Sequence, residues 1–276
     1  MIRVIRSSES SDATRLVEVE ISLPDSVTRA SGWRSHDTAE IDFTASAATP
    51  AEWLAPDLRG ALIGALRQIT LGNGLATLRL RFEAGESNAS TPGAGEISQR
   101  IGFVVDPLPA LPAVPGELPA IRPLTAIDEP GFVVLCEQVF AAELLGQPEA
   151  AGIASLARQL YRGAAIEGWT GYRGFLVGDG DEPFGTFFTG PPGTTRLIFG
   201  LAGMLPAARR TQLALAAAVA VQRRLRELGA TSLQFEIDAR NRRSLALARR
   251  RGATPEYRVL VCPTEPVYSG ISASGV

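Results

Sequence analysis

Leu205–Ala214 reads LPAARRTQLA, and it joins a strand-like run, TRLIFGLAGM (195–204), to a long Ala/Leu/Val-rich stretch. Two readings compete. Pro206 can open an ordinary helix, because a missing N–H costs little in the first turn, and that helix would run to a Gly229 cap. Alternatively, the segment is a loop that wraps a phosphate group at a helix N-terminus and has lost the glycines such loops favour.

The surrounding composition narrows the chemistry. The chain has 276 residues, 45% of them hydrophobic, enough for one large core or two modest ones, and two is the expectation. All 27 basic residues are arginine, so a Walker-type lysine and a Schiff-base nucleophile are excluded. His36, Cys136 and Cys262 are the only histidine and cysteines, which argues against a metal site. His36 lies in the polar segment WRSHDTAE and reads as a solvated loop residue, whereas both cysteines fall in apolar runs and read as core packing. A net charge of −2 speaks against nucleic-acid binding. The longest apolar run, Leu213 to Val221, is far short of the roughly 20 residues a membrane span needs. With no apolar signal core in MIRVIRSSESSD, a cytoplasmic location is expected.

The chain divides at VDPLPALPAVPGELPAIRP, whose prolines remove backbone donors and favour extended chain. The expected organisation is a first domain over 1–106, a proline-rich linker over 107–120, a second domain over 121–263 and a loose tail over 264–276. Within the second domain the pattern predicts a strand start and two helices, then a hairpin in YRGFLVGDGDEPFGTFFTG. The strand before Leu205, the long helix, the strand ATSLQFEID, a short helix ending at Gly252 and the strand EYRVLVC complete it. Part of this order recurs earlier: Pro56, Arg59 and Gly64 are spaced as Pro206, Arg209 and Ala214, and RIGFVVDP parallels YRVLVCP. The first domain is thus read as a partial, eroded copy of the second.

The order from Ile121 to Pro263 resembles the GNAT superfamily of acyl-CoA-dependent N-acetyltransferases. In that family a strand leads into x-Pro-x-x-Arg-Gly-x-Gly-x-Gly/Ala and a long helix. A Gly-Ala turn, a strand and an Asn-x-x-Ser/Ala-x-x-Leu-Tyr helix follow. Here stand Met204, Pro206, Arg209, Ala214, the segment ELGATSLQFEID, then Asn241, Ser244, Leu247 and Gly252. The resemblance implies an α/β fold with a mixed (α+β) sheet, GNAT-like, preceded by a smaller degenerate GNAT-like domain. It implies acetyl-CoA as cosubstrate, no metal, a small-molecule or peptide amine as acceptor, and a monomer or homodimer. The coenzyme would be held by Met204, Arg209, Arg210, Thr211, Gln212, Leu213 and Ala214, with Asn241 nearby.

Three departures matter. Arg210 and Gln212 replace the leading glycines, at a cost of roughly 1 kcal/mol each if the loop needs positive φ there. Ala248 replaces the tyrosine that protonates the departing thiolate, and Gly252-Ala253 replaces Gly-Phe. Tyr257 and Tyr172 are the hydroxyls left for the acid, with packing as the other reading of each. Glu236 is the strand carboxylate placed to serve as base, with a plain arginine-paired carboxylate as its alternative. The expected activity is N-acetyl transfer, and a catalytically inactive GNAT-fold binding module is the alternative. The arginines of ARNRRS and ARRRGA read as a solvated face, since no aromatics interleave with them for base stacking.

Overall fold

The computed structural model describes residues 2–10, 14–22, 27–34, 38–43, 56–68, 75, 77–83, 97–125, 128–140, 153–162, 173–178, 182–190, 196–209 and 211–263. His36, Tyr172, Arg210 and the tail over 264–276 lie outside them. The chain forms two units, one of Met1–Gly102, Ile237–Arg242 and Pro255–Val276, the other of Phe103–Glu236 and Arg243–Thr254.

The first unit is built on strands whose apolar and polar residues alternate. In TRLVEVEIS (β2, Thr14–Ser22), Val17, Val19 and Ile21 are buried, while Glu18 and Glu20 fall on the other face. β2 pairs antiparallel with β1 (Ile2–Ser10) and with β3 (Val27–Arg34), which pairs antiparallel with β4 (Thr38–Asp42). Helix α1 (Pro56–Arg67) then crosses over to β5 (Thr77–Glu83), parallel to β4. Leu62, Ile63 and Leu66 of α1 pack on Val19, Ile21, Ile41, Leu78 and Leu80 to make this unit's core. On the other face the strands carry cross-strand ion pairs. Glu20 accepts from Arg3 (2.7 and 3.0 Å) and Arg29 (2.9 and 3.0 Å), and those guanidinium hydrogen bonds, Arg29 first, hold its carboxyl below the usual range. This meander is absent from the expectations above, although the alternation in β2 announces it.

The closing strand also departs from expectation. EYRVLVC forms part of β12 (Thr254–Pro263), which pairs antiparallel with β5 from Tyr257↔Glu83 to Pro263↔Thr77. Leu260 and Cys262 join the core of the first unit. The last of the described strands thus completes the unit formed by the chain's beginning.

The second unit holds the end of β6 (Ser98–Val105), β7 (Ile121–Pro123), α2 (Glu129–Phe140), α3 (Ile153–Tyr161), the hairpin β8 (Arg173–Val177) and β9 (Gly185–Thr189), and β10 (Arg196–Met204). Helix α4 (Gln212–Glu227) leads to β11 (Ser232–Asp238), and α5 (Arg242–Arg250) follows. The hairpin appears where the Gly/Asp turn predicts it. Phe175 and Phe187 stack on one face of it (4.8 Å between centroids) beneath Arg224 of α4, while Leu176 and Phe188 join the α2–α3 core on the other. Residues 185–189 are therefore buried throughout, as strands covered on both faces are. Cys136 lies in that core, and burial pushes its thiol up to about 12; burial likewise raises Cys262 to about 11.

Glycine ends both later helices. At Gly229 (φ 92°) the Ala230 amide donates to Leu225 O (3.0 Å) and the Gly229 amide to Arg226 O (2.9 Å). At Gly252 (φ 79°) the Ala253 amide repeats the pattern to Ala248 O (3.0 Å), as a left-handed helix stop requires.

The stretch over 107–120, expected as a linker, has no helix or strand but is bound to the second unit. The Leu108 amide donates to Thr231 O (2.8 Å), and Gln222 and Arg226 donate to Pro109 O (2.6 and 2.7 Å). Prolines lack donors but keep carbonyls, and polar side chains of α4 take those carbonyls up.

Asp128 anchors the start of α2. Its carboxylate accepts both Arg122 N–H groups (3.0 and 2.9 Å) and the Thr125 amide and hydroxyl (2.7 and 2.8 Å). These bonds, Arg122 first, outweigh burial and hold its pKa at about 2. A depressed carboxylate stabilises the fold above its unfolded pKa and loses that contribution as pH falls through the folded one. Asp128→Ala is expected to lower urea-unfolding stability by about 1–2 kcal/mol at pH 7, allowing for screening of the part-exposed Arg122. The gap between the two proteins is expected to shrink steadily from pH 4 towards pH 2, and a gap independent of pH would contradict the assignment.

Candidate functional site

The decisive segment resolves into three pieces. β10 ends at Met204, Pro206–Ala208 form a single 3-10 turn, and the backbone straightens at Arg209 (ψ 147°). Thr211 (φ −110°, ψ 171°) is then the N-cap of α4, which begins at Gln212. The helix start expected at Pro206 is therefore displaced by six residues. One tertiary and two local bonds hold the segment: Arg209 donates through a terminal nitrogen to Val139 O (2.5 Å) and through Nε to Met204 O (2.8 Å), and Thr211 Oγ1 donates to Ala208 O (2.8 Å).

This geometry revises two expectations. Gln212 is a helical residue, so the strain cost of losing a glycine does not arise there. Arg209, expected to reach a phosphate, instead turns its guanidinium onto the carbonyls of Met204 and Val139. The first turn of α4 has no side-chain cap. The Thr211 side chain makes no capping bond to its amides, Leu213 is 40% exposed, and Ala214 is a small residue whose amide turns back to Thr211 O (3.2 Å). Arg210 lies outside the described residues.

The strands on either side of α4 part company. Among the described residues their parallel ladder consists of Arg196↔Ser232, Leu197↔Leu233 and Ile198↔Gln234. β10 then changes register between Phe199 and Ala202 and follows β9 to Met204, opposite Gly185, while β11 continues to Asp238. In the first unit the parallel pair joined by α1 stays zipped: β4 and β5 match from Thr38↔Thr77 to Asp42↔Arg81, and the Phe43 amide extends the ladder to Arg81 O (2.7 Å).

Glu236 lies on β11 beyond the last pair and is half-buried. Strand alternation turns it away from the face of Phe235, whose ring stacks on Phe103 at 5.9 Å. Asn241 belongs to the first unit and immediately precedes α5, its amide donating to Asp238 O (2.9 Å). In that turn burial raises the Asp238 pKa, but hydrogen bonds from the Arg240 amide and guanidinium prevail and leave it lowered. Arg240 of the arginine cluster is thus ion-paired, while Arg242, Arg243, Arg249, Arg250 and Arg251 are exposed.

Tyr257, expected as the acid, is a packed residue. It belongs to the first unit, is 4% exposed, carries the Arg81 guanidinium 3.7 Å above its ring, and fills the space that a side chain at Gly102 would need. Its ring is committed to packing. Ala248 is buried as well, its carbonyl accepting the amides that end α5. The sequence reading missed the partner of Arg209, the last turn of α2, which lies against Gly203: a Cβ there would strike Val139 and Phe140. A glycine in an otherwise apolar strand is the signal that marks such a close approach.

No protein-family model matches the chain, and no curated protein matches it. The fold is similar to that of a conserved protein of unknown function from Staphylococcus epidermidis ATCC 12228 (TM-score 0.56, 12% identity, 83% of this chain and 84% of that one). It is also similar to that of a Drosophila protein (TM-score 0.51, 19% identity, 91% and 79%). A tandem GNAT protein from the clavulanic acid biosynthesis pathway, solved without acetyl-CoA, matches at TM-score 0.49 and 17% identity over 93% and 85%. The first two likenesses are of fold alone, and the third adds nothing to them.

Proposed function

We propose that the second unit is a GNAT-like N-acetyltransferase, transferring an acetyl group from acetyl-CoA to a small-molecule or peptide amine. The observation that carries this reading is the parting of β10 and β11 beside a helix that has no side-chain cap. Diverging strands expose backbone groups to which an extended chain can bond, and the helix terminus at their end suits a diphosphate. In the reaction the amine nitrogen bonds to the thioester carbonyl carbon, the C–S bond breaks, and sulfur leaves as thiolate. Glu236 is the proposed base, taking the ammonium proton through water. With Tyr257 packed away and Ala248 in the helix, the thiolate takes its proton from solvent. The zipped first unit serves as scaffold.

A non-catalytic acyl-CoA-binding module is the second reading, favoured by the buried Ala248 at the acid's position. Calorimetry with coenzyme A and acetyl-CoA tests both, since no heat at millimolar ligand would rule out either. Gln212→Pro sharpens the test. Thr211 is already extended, as a residue before proline must be, and proline is at home in a helix's first position. The change removes one amide donor and leaves the helix intact, so coenzyme A affinity is expected to fall roughly tenfold, the value of one hydrogen bond to a charged group. Unchanged affinity would place the diphosphate elsewhere.

A further inference from the structure

Arg209 departs from the loop it belongs to. Its guanidinium reaches across to the carbonyl of Val139, 70 residues earlier in the chain and one residue from the end of α2, while its Nε holds the carbonyl of Met204. The Val139 carbonyl is among the last four of its helix, which have no donor within it, and a cation at that end meets the negative pole of the helix. Gly203 lets the same turn of α2 sit against β10, where a side chain would collide with Val139 and Phe140. One side chain therefore closes a ring from the end of α2, through the loop, to the end of β10.

We propose that Arg209 is a positioning residue that ties the last turn of α2 to the acyl-CoA loop, so that occupation of the loop sets the position of that turn. This rests on the transferase reading above. The fork of arginine holds two carbonyls at once, whereas lysine offers a single point charge. Charge alone therefore does not substitute for it.

Hydrogen exchange of the full chain, with and without coenzyme A, tests the tie. In the wild type, coenzyme A is expected to slow exchange about fivefold both in the loop over 205–214 and in the last turn of α2, which opens locally in its absence. In Arg209→Lys the loop response is expected to persist and the α2 response to vanish. A merely structural arginine would loosen α2 with and without coenzyme A and leave the ligand-induced difference in place. Should Arg209→Lys fail to fold, Arg209→Gln, which keeps a donor for one carbonyl only, supplies the same comparison. Loop protection without α2 protection in the wild type overturns the proposal but leaves the transferase reading standing, as does α2 protection that survives in either variant. No loop protection in the wild type overturns both.

Discussion

A chain ending at Ala253 is expected to lose the cooperative unfolding of its first unit. The missing segment supplies β12, which pairs with β5 through seven residue pairs from Tyr257↔Glu83 to Pro263↔Thr77. It also removes Leu260 and Cys262 from the core beneath α1, and Tyr257 and Val259, 4% and 0% exposed, from the opposite face. At about 1.5–3 kcal/mol for each buried apolar side chain, the loss is roughly 6–12 kcal/mol. That is comparable to the about 5–15 kcal/mol that holds a whole domain together. Amide exchange at Leu78 and Leu80 measures the effect, with β8 and β9 reporting on the second unit separately. A chain ending at Pro263 is the reference. Retained protection at Leu78 and Leu80 would mean that β5 is stable without its partner.

Phe132→Ala is expected to cost about 3–5 kcal/mol, the range for emptying an aromatic site in a core. Phe132 is 1% exposed, and its ring meets Tyr161 of α3 (6.2 Å, 29°) and the edge of Phe188 of β9 (5.7 Å, 69°). It thus joins both helices to the sheet at one point. Tyr161 is held in turn by its hydroxyl, which donates to Thr125 O (3.1 Å), so it is not free to collapse into the void. Urea denaturation followed by near-ultraviolet circular dichroism reads the change. Phe132→Leu keeps most of the volume and is expected to retain more than half of the lost stability. A loss below about 1 kcal/mol for the alanine variant would show that the site repacks.

Local patterns carried much of the fold. The Gly/Asp turn between Val177 and Gly185 and the glycines at 229 and 252 were legible because each depends on its near neighbours in the chain. The start of α4 was not. Proline favours the first turn of a helix, but a bond from Arg209 to a carbonyl 70 residues away holds the backbone extended at the place where helix was expected. The stretch over 107–120 was legible in part: proline composition shows that no ladder forms, but not that Gln222 and Arg226 bind the carbonyls left over. EYRVLVC was read as the closing strand of the second domain, whereas it pairs with β5 of the first unit, because alternation fixes which faces a strand presents and not whom it joins. Of the expected site residues, Met204, Arg209 and Thr211 to Ala214 lie between the end of β10 and the start of α4, while Tyr257 and Asn241 belong to the other unit.

The origin of β12 has a consequence for biosynthesis. When β5 emerges from the ribosome its eventual partner has not been made, and at ordinary translation rates of roughly 5–20 residues per second it waits on the order of ten seconds or longer. During that interval the nascent chain presents an open strand edge with Leu78 and Leu80 beside it, the kind of surface that recruits chaperones or neighbouring chains. The part translated first is among the last to be finished, and synthesis of β12, not of the strands around β5, sets the moment at which that half is sealed.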